Sequence, residues 1–169
     1  NNAPVINVYH DGPLADQAIN LENLTLRNSR GDEAAGLRVR GRIGQLRVNL
    51  RNVEVTSNRR TGGTDGHGAG IRVLVIPEFG TLGAMLTIDD DSIISDNVAD
   101  GRGGGLYCEA SEDPGNVDTI RIGKTPIIYN EAGMGGGLAV NGCHNVHVHS
   151  GGEVLFILPT GGIVLNEAS

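Results

Sequence analysis

The sequence has no tryptophan, three tyrosines, two phenylalanines and two cysteines in 169 residues. Aromatic rings supply bulk to many small cores and stacking platforms to sugar-binding faces. At 3% of this chain they can do little of either. Tyr9, Phe79, Tyr107, Tyr129 and Phe156 are the whole supply, and there is no regular Thr column, which argues against a flat array for glycans or ice. No apolar run approaches the roughly eighteen residues that read as a membrane helix, so no membrane-spanning segment is expected. Asn1-Asn2-Ala3-Pro4 has neither the basic start nor the apolar core of a signal peptide, so the chain reads as a processed or trimmed piece. Two cysteines neither establish nor exclude an oxidising compartment.

Positive charge is short as well. The net charge of −7 argues against nucleic acid as a partner, because phosphate binding wants a basic surface. The charge is uneven. Residues 1–72 hold ten Arg against seven acids, giving +3, and residues 73–169 hold three basic groups against thirteen acids, giving −10. In an elongated molecule this split makes one end relatively basic and the other acidic.

Glycine is abundant, at 27 residues. With 38% hydrophobic residues it suits many short strands and tight turns rather than a helical bundle. It is also periodic. Gly-Leu or Gly-Ile recurs at Gly36, Gly70, Gly105 and Gly137, spaced by 34, 35 and 32 residues. An Asn recurs at Asn28, Asn58, Asn97, Asn130 and Asn166, spaced by 30, 39, 33 and 36. Apolar residues alternate singly within each period, which is the strand signal and not the 3.6-residue helical one.

Each period holds three candidate strands. The second has Leu37–Arg40, Gln45–Asn49 and Asn52–Thr56; the third has Ile71–Ile76, Ala84–Ile88 and Ser92–Ser95. The fourth has Leu106–Glu109, Val117–Ile122 and Pro126–Tyr129. The fifth has Leu138–Val140, Asn145–His149 with Val154–Leu158 following, and Gly162–Leu165. The first is irregular, with Val5–Tyr9 and Ile19–Leu26. Residues 1–169 therefore read as one all-β domain, a right-handed parallel β-helix of about five coils with three short strands per coil. Alternation turns Leu37, Val39, Ile71, Val73, Leu106, Cys108, Leu138 and Val140 inward. Arg38, Arg72, Tyr107 and Ala139 form one outward column, and Arg40, Leu74, Glu109 and Asn141 the next. A slip of one residue would send the Arg columns into the core, so the register is strongly specified.

The recurring Asn side chains are expected to stack at one corner as a hydrogen-bonded ladder. The glycines Gly36, Gly70, Gly105 and Gly137 are expected to let the chain bend into the next strand. The unit N-x-A-x-x-x-G-G-G-L at Asn97–Leu106, with a near copy at Asn130–Leu138, resembles the repeat of polymorphic outer membrane proteins and related autotransporter passengers. The other units depart from it: Asn58 lies twelve residues before Gly70, and Ala34-Ala35-Gly36 replaces the triple Gly. The resemblance implies a pectin-lyase-like parallel β-helix, secreted or exposed on a cell surface, serving adhesion, scaffolding or display. Some wider relatives of that group are polysaccharide lyases or hydrolases.

Chemistry on such a scaffold needs carboxylates converging across coils, whether to hold Ca²⁺ or to act as an acid–base pair. Glu109 is the only acid in the two outward columns. Asp89-Asp90-Asp91, with Asp96 and Asp100, lacks the spacing of a calcium loop and reads as a solvated turn. His147 and His149 share one strand face, a pair that could grip Zn²⁺ or Cu²⁺, but His144 and Cys143 sit at the preceding turn and no third ligand is evident. Gly101–Gly105 lacks the Lys-Ser/Thr of a phosphate loop. Cys108 faces the core, and a disulfide to Cys143 forms if the turn brings Cys143 inward; free thiols are the alternative. No catalytic residue, cofactor or metal site is therefore assigned.

Neither end shows a cap. The chain is expected to be a segment of a longer solenoid or a subunit that self-associates head to tail through its basic and acidic halves. The expected function is that of a non-enzymatic extracellular structural or adhesive module, with a cell-surface or polysaccharide ligand as a further expectation. A carbohydrate-active enzyme on the same scaffold is the alternative.

Overall fold

A computed structural model describes residues 3–10, 17–42, 46–76, 85–110, 120–143, 146–150 and 153–156. The first coil holds β1 (Ile6–Tyr9), β2 (Gln17–Arg27) and β3 (Arg30–Gly31). The second holds β4 (Leu37–Arg42), β5 (Leu46–Thr56) and β6 (Arg59–Arg60). The third holds β7 (Ile71–Ile76), β8 (Leu86–Ile88), β9 (Ile93–Ser95) and β10 (Val98–Arg102). The fourth holds β11 (Leu106–Ala110), β12 (Ile120–Ile122), β13 (Ile127–Ile128) and β14 (Glu131–Met134), and the fifth β15 (Leu138–Asn141), β16 (Val146–Ser150) and β17 (Glu153–Phe156).

These strands stack as a parallel β-solenoid of three sheets. The first sheet runs β1-β4-β7-β11-β15 and the third runs β3-β6-β10-β14. The second is organised around the long strand β5, which pairs with β2 on one side. On the other side its first half meets β8 and its second half meets β9. Complete coils amount to about three turns, fewer than the five expected. In the fifth repeat β16 pairs antiparallel with β17, and among the described residues the third sheet ends at β14.

Alternation sets the core. Leu37, Ile71, Leu106 and Leu138 align in register, as do Val39, Val73, Cys108 and Val140. Facing them are Val48, Leu86 and Ile120 from the second sheet, with Val55 and Ile94 beyond its bend. Fully burying such an aliphatic side chain contributes roughly 1.5–3 kcal/mol, so a few aligned columns supply most of the driving force without aromatic bulk.

Two features differ from the expected coil. The second and third strands of the second repeat are one element, β5, which bends at Asn52 in the left-handed region (φ 50°). Asn23 makes the same bend in β2 (φ 55°). The Gly-rich corner after the ladder Asn is itself a sheet: Val98 and Ala99 pair with Glu131 and Ala132 above and with Arg59 and Arg60 below. Asn166 and the strand expected at Gly162–Leu165 lie outside the described residues.

Candidate functional site

The corner between the second and third sheets is built on three of the recurring asparagines. Asn58 Nδ2 donates to Asn97 Oδ1 at 3.0 Å, and Asn97 Nδ2 donates to Asn130 Oδ1 at 2.9 Å. The same oxygens accept backbone N–H groups, Asn58 N at 3.1 Å and Asn97 N at 3.0 Å. Each amide nitrogen also donates to two backbone carbonyls: Asn97 Nδ2 to Val55 O and Ser95 O, and Asn130 Nδ2 to Ile94 O and Ile128 O. Asn97 is completely buried, so these bonds replace all of its contact with water.

Asn28 is not on this line. The first two coils are offset by 29 residues here, which places Ser29 beneath Asn58, and Ser29 N donates to Asn58 Oδ1 at 3.1 Å. Asn28 is exposed, in the left-handed region at φ 64°. Ser57, Asp96 and Tyr129 repeat that conformation just before each ladder residue, with φ of 55–56°.

Gly36, Gly70, Gly105 and Gly137 are not among the glycines at positive φ, and what the structure shows for them is a steric duty. Gly36, Gly70, Gly105 and Gly137 form one column, each passing its carbonyl to the coil before: Leu37 N to Gly70 O, Ile71 N to Gly105 O and Leu106 N to Gly137 O. A Cβ on Gly36, Gly70 or Gly105 would lie 2.7, 2.9 or 3.0 Å from the Nδ2 of Asn58, Asn97 or Asn130. Asn and Gly recur together because the amide of one occupies the space of a side chain on the other.

Cys108 and Cys143 are joined, with Cα atoms 6.1 Å apart, and the bond ties β11 to the turn after β15. Both are buried.

The outward face of the first sheet is partly covered by the chain returning from the third. Arg38, Arg72, Tyr107 and Ala139 share the expected column. Yet Tyr107 is 1% exposed and Ala139 is 3%. Gly68, Gly103 and Gly135, all at positive φ, cross over this column. A Cβ on any of them would crowd Arg72 and Tyr107, Tyr107, or Ala139 respectively. The His67 ring packs on Tyr107 with centroids 4.6 Å apart. His67 Nδ1 accepts Arg102 N–H at 2.9 Å, which leaves Nε2 as the protonated nitrogen of the neutral ring. Burial first, then Arg102 and Arg72, hold the His67 pKa below its usual value. Burial also raises that of Tyr107, with Glu109 adding to it. Glu109 is paired with Arg72 at 3.6 Å and is not aligned with a second acid.

The Asp89–Asp91 run is the corner between β8 and β9. Its carboxylates diverge. Asp89 Oδ1 accepts from Asn52 N at 3.2 Å and Ser92 Oγ at 2.9 Å, and its Oδ2 lies 3.8 Å from Arg51 Nε. Asp90 Oδ1 accepts from Lys124 N at 2.8 Å. Asp91, with Asn23, Asn52 and Glu54, lines a pocket of about 300 Å³. Asp89 and Asp90 thus close backbone hydrogen bonds to the coils on either side. His147 and His149 share one face of β16, beside Arg121 and Val154 respectively. Among the described residues, no three His, Cys, Asp or Glu side chains gather to hold a metal.

Two functional candidates were not singled out from the sequence. His67 lies in a Gly-rich turn with no repeat partner. Arg60 had a signal: it stands two residues after Asn58, where the better repeats have Ala99 and Ala132 after Asn97 and Asn130.

Among the described residues no helix is long and apolar enough to cross a membrane. No family model, curated protein or solved structure matches the chain.

Proposed function

We propose that the chain is a non-enzymatic, extracellular structural or adhesive module whose coils form a stiff rod for display at a surface. The observation that carries this reading is the continuous seam Asn58–Asn97–Asn130 packed against Gly36, Gly70 and Gly105. Coils locked to one another by buried hydrogen bonds resist bending and local opening. The location is supported by the Cys108–Cys143 bridge, since disulfides persist in oxidising compartments. It is also supported by the likeness of Asn97–Leu106 to autotransporter passenger repeats.

Head-to-tail stacking of copies belongs to the same reading. Ile6, Ile19, Leu21 and Leu24 at the first coil, and Ile127, Val140 and Val148 in the last two, are only partly buried. Placing β15 of one copy on β1 of the next would continue the first sheet, a heterologous contact that joins the acidic half to the basic half.

Electron microscopy, limited proteolysis and thiol alkylation of native material test the proposal. The expected outcome is a narrow rod, resistant to protease, with both cysteines blocked. Ready cleavage throughout the ladder or free thiols in native material would overturn it. Sedimentation at low and high salt tests stacking: oligomers at low salt that dissociate at high salt are expected, and a monomer under both conditions sinks that part.

A further inference from the structure

Asn23-Leu24-Thr25 is the one Asn-x-Ser/Thr triplet in the sequence. Transferases that attach sugars to asparagine read this triplet, and it serves them only where the asparagine reaches solvent. Asn23 and Thr25 are both exposed. The pairing of β2 with β5 passes from Glu22–Arg51 to Leu24–Val53 and skips Asn23, which stands at the bend with φ 55°. An asparagine tolerates that left-handed conformation, and the bend sets its side chain apart from the alternation of the strand.

The hydrogen bonds orient the triplet. Asn52 Nδ2 donates to Asn23 Oδ1 at 2.8 Å, which turns the oxygen toward the next coil. Asn23 Nδ2, the atom that would carry a sugar, is left without a partner among the described residues. Thr25 Oγ1 donates to Glu54 Oε2 at 3.1 Å. Asn23 and Thr25 line one polar pocket of about 300 Å³ together with Asn52, Glu54 and Asp91. Amide and hydroxyl therefore open on a shared space, where the carboxylates of Glu54 and Asp91 can accept the hydroxyl groups of a first sugar.

The next coil supplies an internal comparison. Asn52 makes the same bend, with φ 50°, and is equally exposed. Yet Glu54 stands in register with Thr25, where the triplet needs a hydroxyl, and the Asn52 nitrogen is already bonded to Asn23. Thr25 is thus not a demand of the bend.

We propose that Asn23 is a site of N-linked glycosylation, read by the Thr25 hydroxyl. The step joins Asn23 Nδ2 to the anomeric carbon of a sugar carried on a diphosphate. The new C–N bond replaces the C–O bond to the diphosphate, which leaves with the electron pair, and the amide gives up one proton to a base of the transferase. The inference rests on the extracellular reading for its compartment and adds to it a chemical mark on one named corner.

The test is peptide mapping of native material by mass spectrometry, with electron-transfer fragmentation that keeps a sugar on its residue, beside the alkylation of thiols. The peptide carrying Asn23 is expected to hold a hexose or N-acetylhexosamine chain at that residue, and Asn52 to be bare. In the native host, Asn23→Gln and Thr25→Ala abolish the added mass, whereas Thr25→Ser keeps it. These side chains are exposed, and Thr25→Ala removes only the bond to Glu54, so loss of the sugar is not loss of the fold. A bare Asn23 in native material, or a sugar that survives Thr25→Ala, overturns the proposal. Bridged cysteines with a bare Asn23 refute this site and leave the extracellular reading standing; free thiols with a glycosylated Asn23 do the reverse.

Discussion

The carboxamide of Asn97 fills the space that a side chain on Gly70 would need. A Cβ there would lie 2.9 Å from Asn97 Nδ2 and would also collide with Gly105 O. Gly70→Ala is therefore expected to destabilise the protein by about 1–3 kcal/mol through overpacking. Gly63→Asn meets nothing within 4 Å and places a tolerated residue at φ 59°, so it should change stability little. Urea unfolding of the two variants checks the contrast.

Removing the other partner should cost at least as much. Asn97→Ala deletes donors to Val55 O, Ser95 O and Asn130 Oδ1, together with the acceptor of Asn58 N–H and Nδ2. Leaving such buried groups unpaired costs roughly 1–3 kcal/mol each, so a loss of about 3 kcal/mol is expected. Asn28→Gly, at an exposed left-handed position off the ladder, should be close to neutral. Equal losses in the two variants would contradict the assignment of Ser29 to the first rung.

The ladder and the core columns differ in how plainly the sequence announces them. Leu37, Ile71, Leu106 and Leu138 were legible because only one alternation keeps Arg38 and Arg72 out of the core. The third sheet was not. Arg59–Arg60 and Val98–Arg102 are held by backbone ladders rather than by an alternating apolar face, so they carry no period-two signal. Asn28 misled because composition marks Asn more strongly than Ser. The 29-residue offset that selects Ser29 is fixed by the pairing of β2 with β5, a fact of register. The disulfide was open because its second partner lies in a turn, beyond the reach of alternation.

Tyr129 offers a stabilising change. It holds φ at 55° and is 78% exposed, so it bears left-handed strain with little packing in return. Tyr129→Asn should raise stability by about 0.5–1 kcal/mol, because Asn tolerates this region. Thermal melts would show it, and a lower Tm would refute it.

Reducing the Cys108–Cys143 bridge opens a loop with a sequence separation of 35. Chain entropy puts the loss near 3–4 kcal/mol. Because repeat stability is largely a matter of neighbouring coils, the loss should concentrate around β11 and β15. Hydrogen exchange with and without reductant would locate it; uniform loss along the chain would contradict the expectation.

His67 gives a pH dependence of known sign. Its folded pKa lies below 6.5, so the unfolded chain binds the proton more readily. The stability contributed by the neutral ring is complete above pH 6.5 and falls as the pH drops through the lower, folded value. Protonation also removes the Nδ1 acceptor of Arg102 N–H. The Tm should fall between pH 7 and pH 5, and His67→Gln should lessen that fall. An unchanged pH slope in the variant would disprove the assignment.

The ladder runs one way. Asn58 and Asn97 each donate forward to the Asn of the next coil, and every ladder oxygen accepts from the coil before, from Ser29 N–H to Asn130, while the same amide nitrogens also tie back to Leu26 O, Val55 O and Ile94 O. Aligned amides add their dipoles and polarise one another. The stack thus has an electrical head and tail that do not depend on ionised side chains and do not vanish in salt. A coil can join it in only one orientation, so direction along the axis is encoded at every rung.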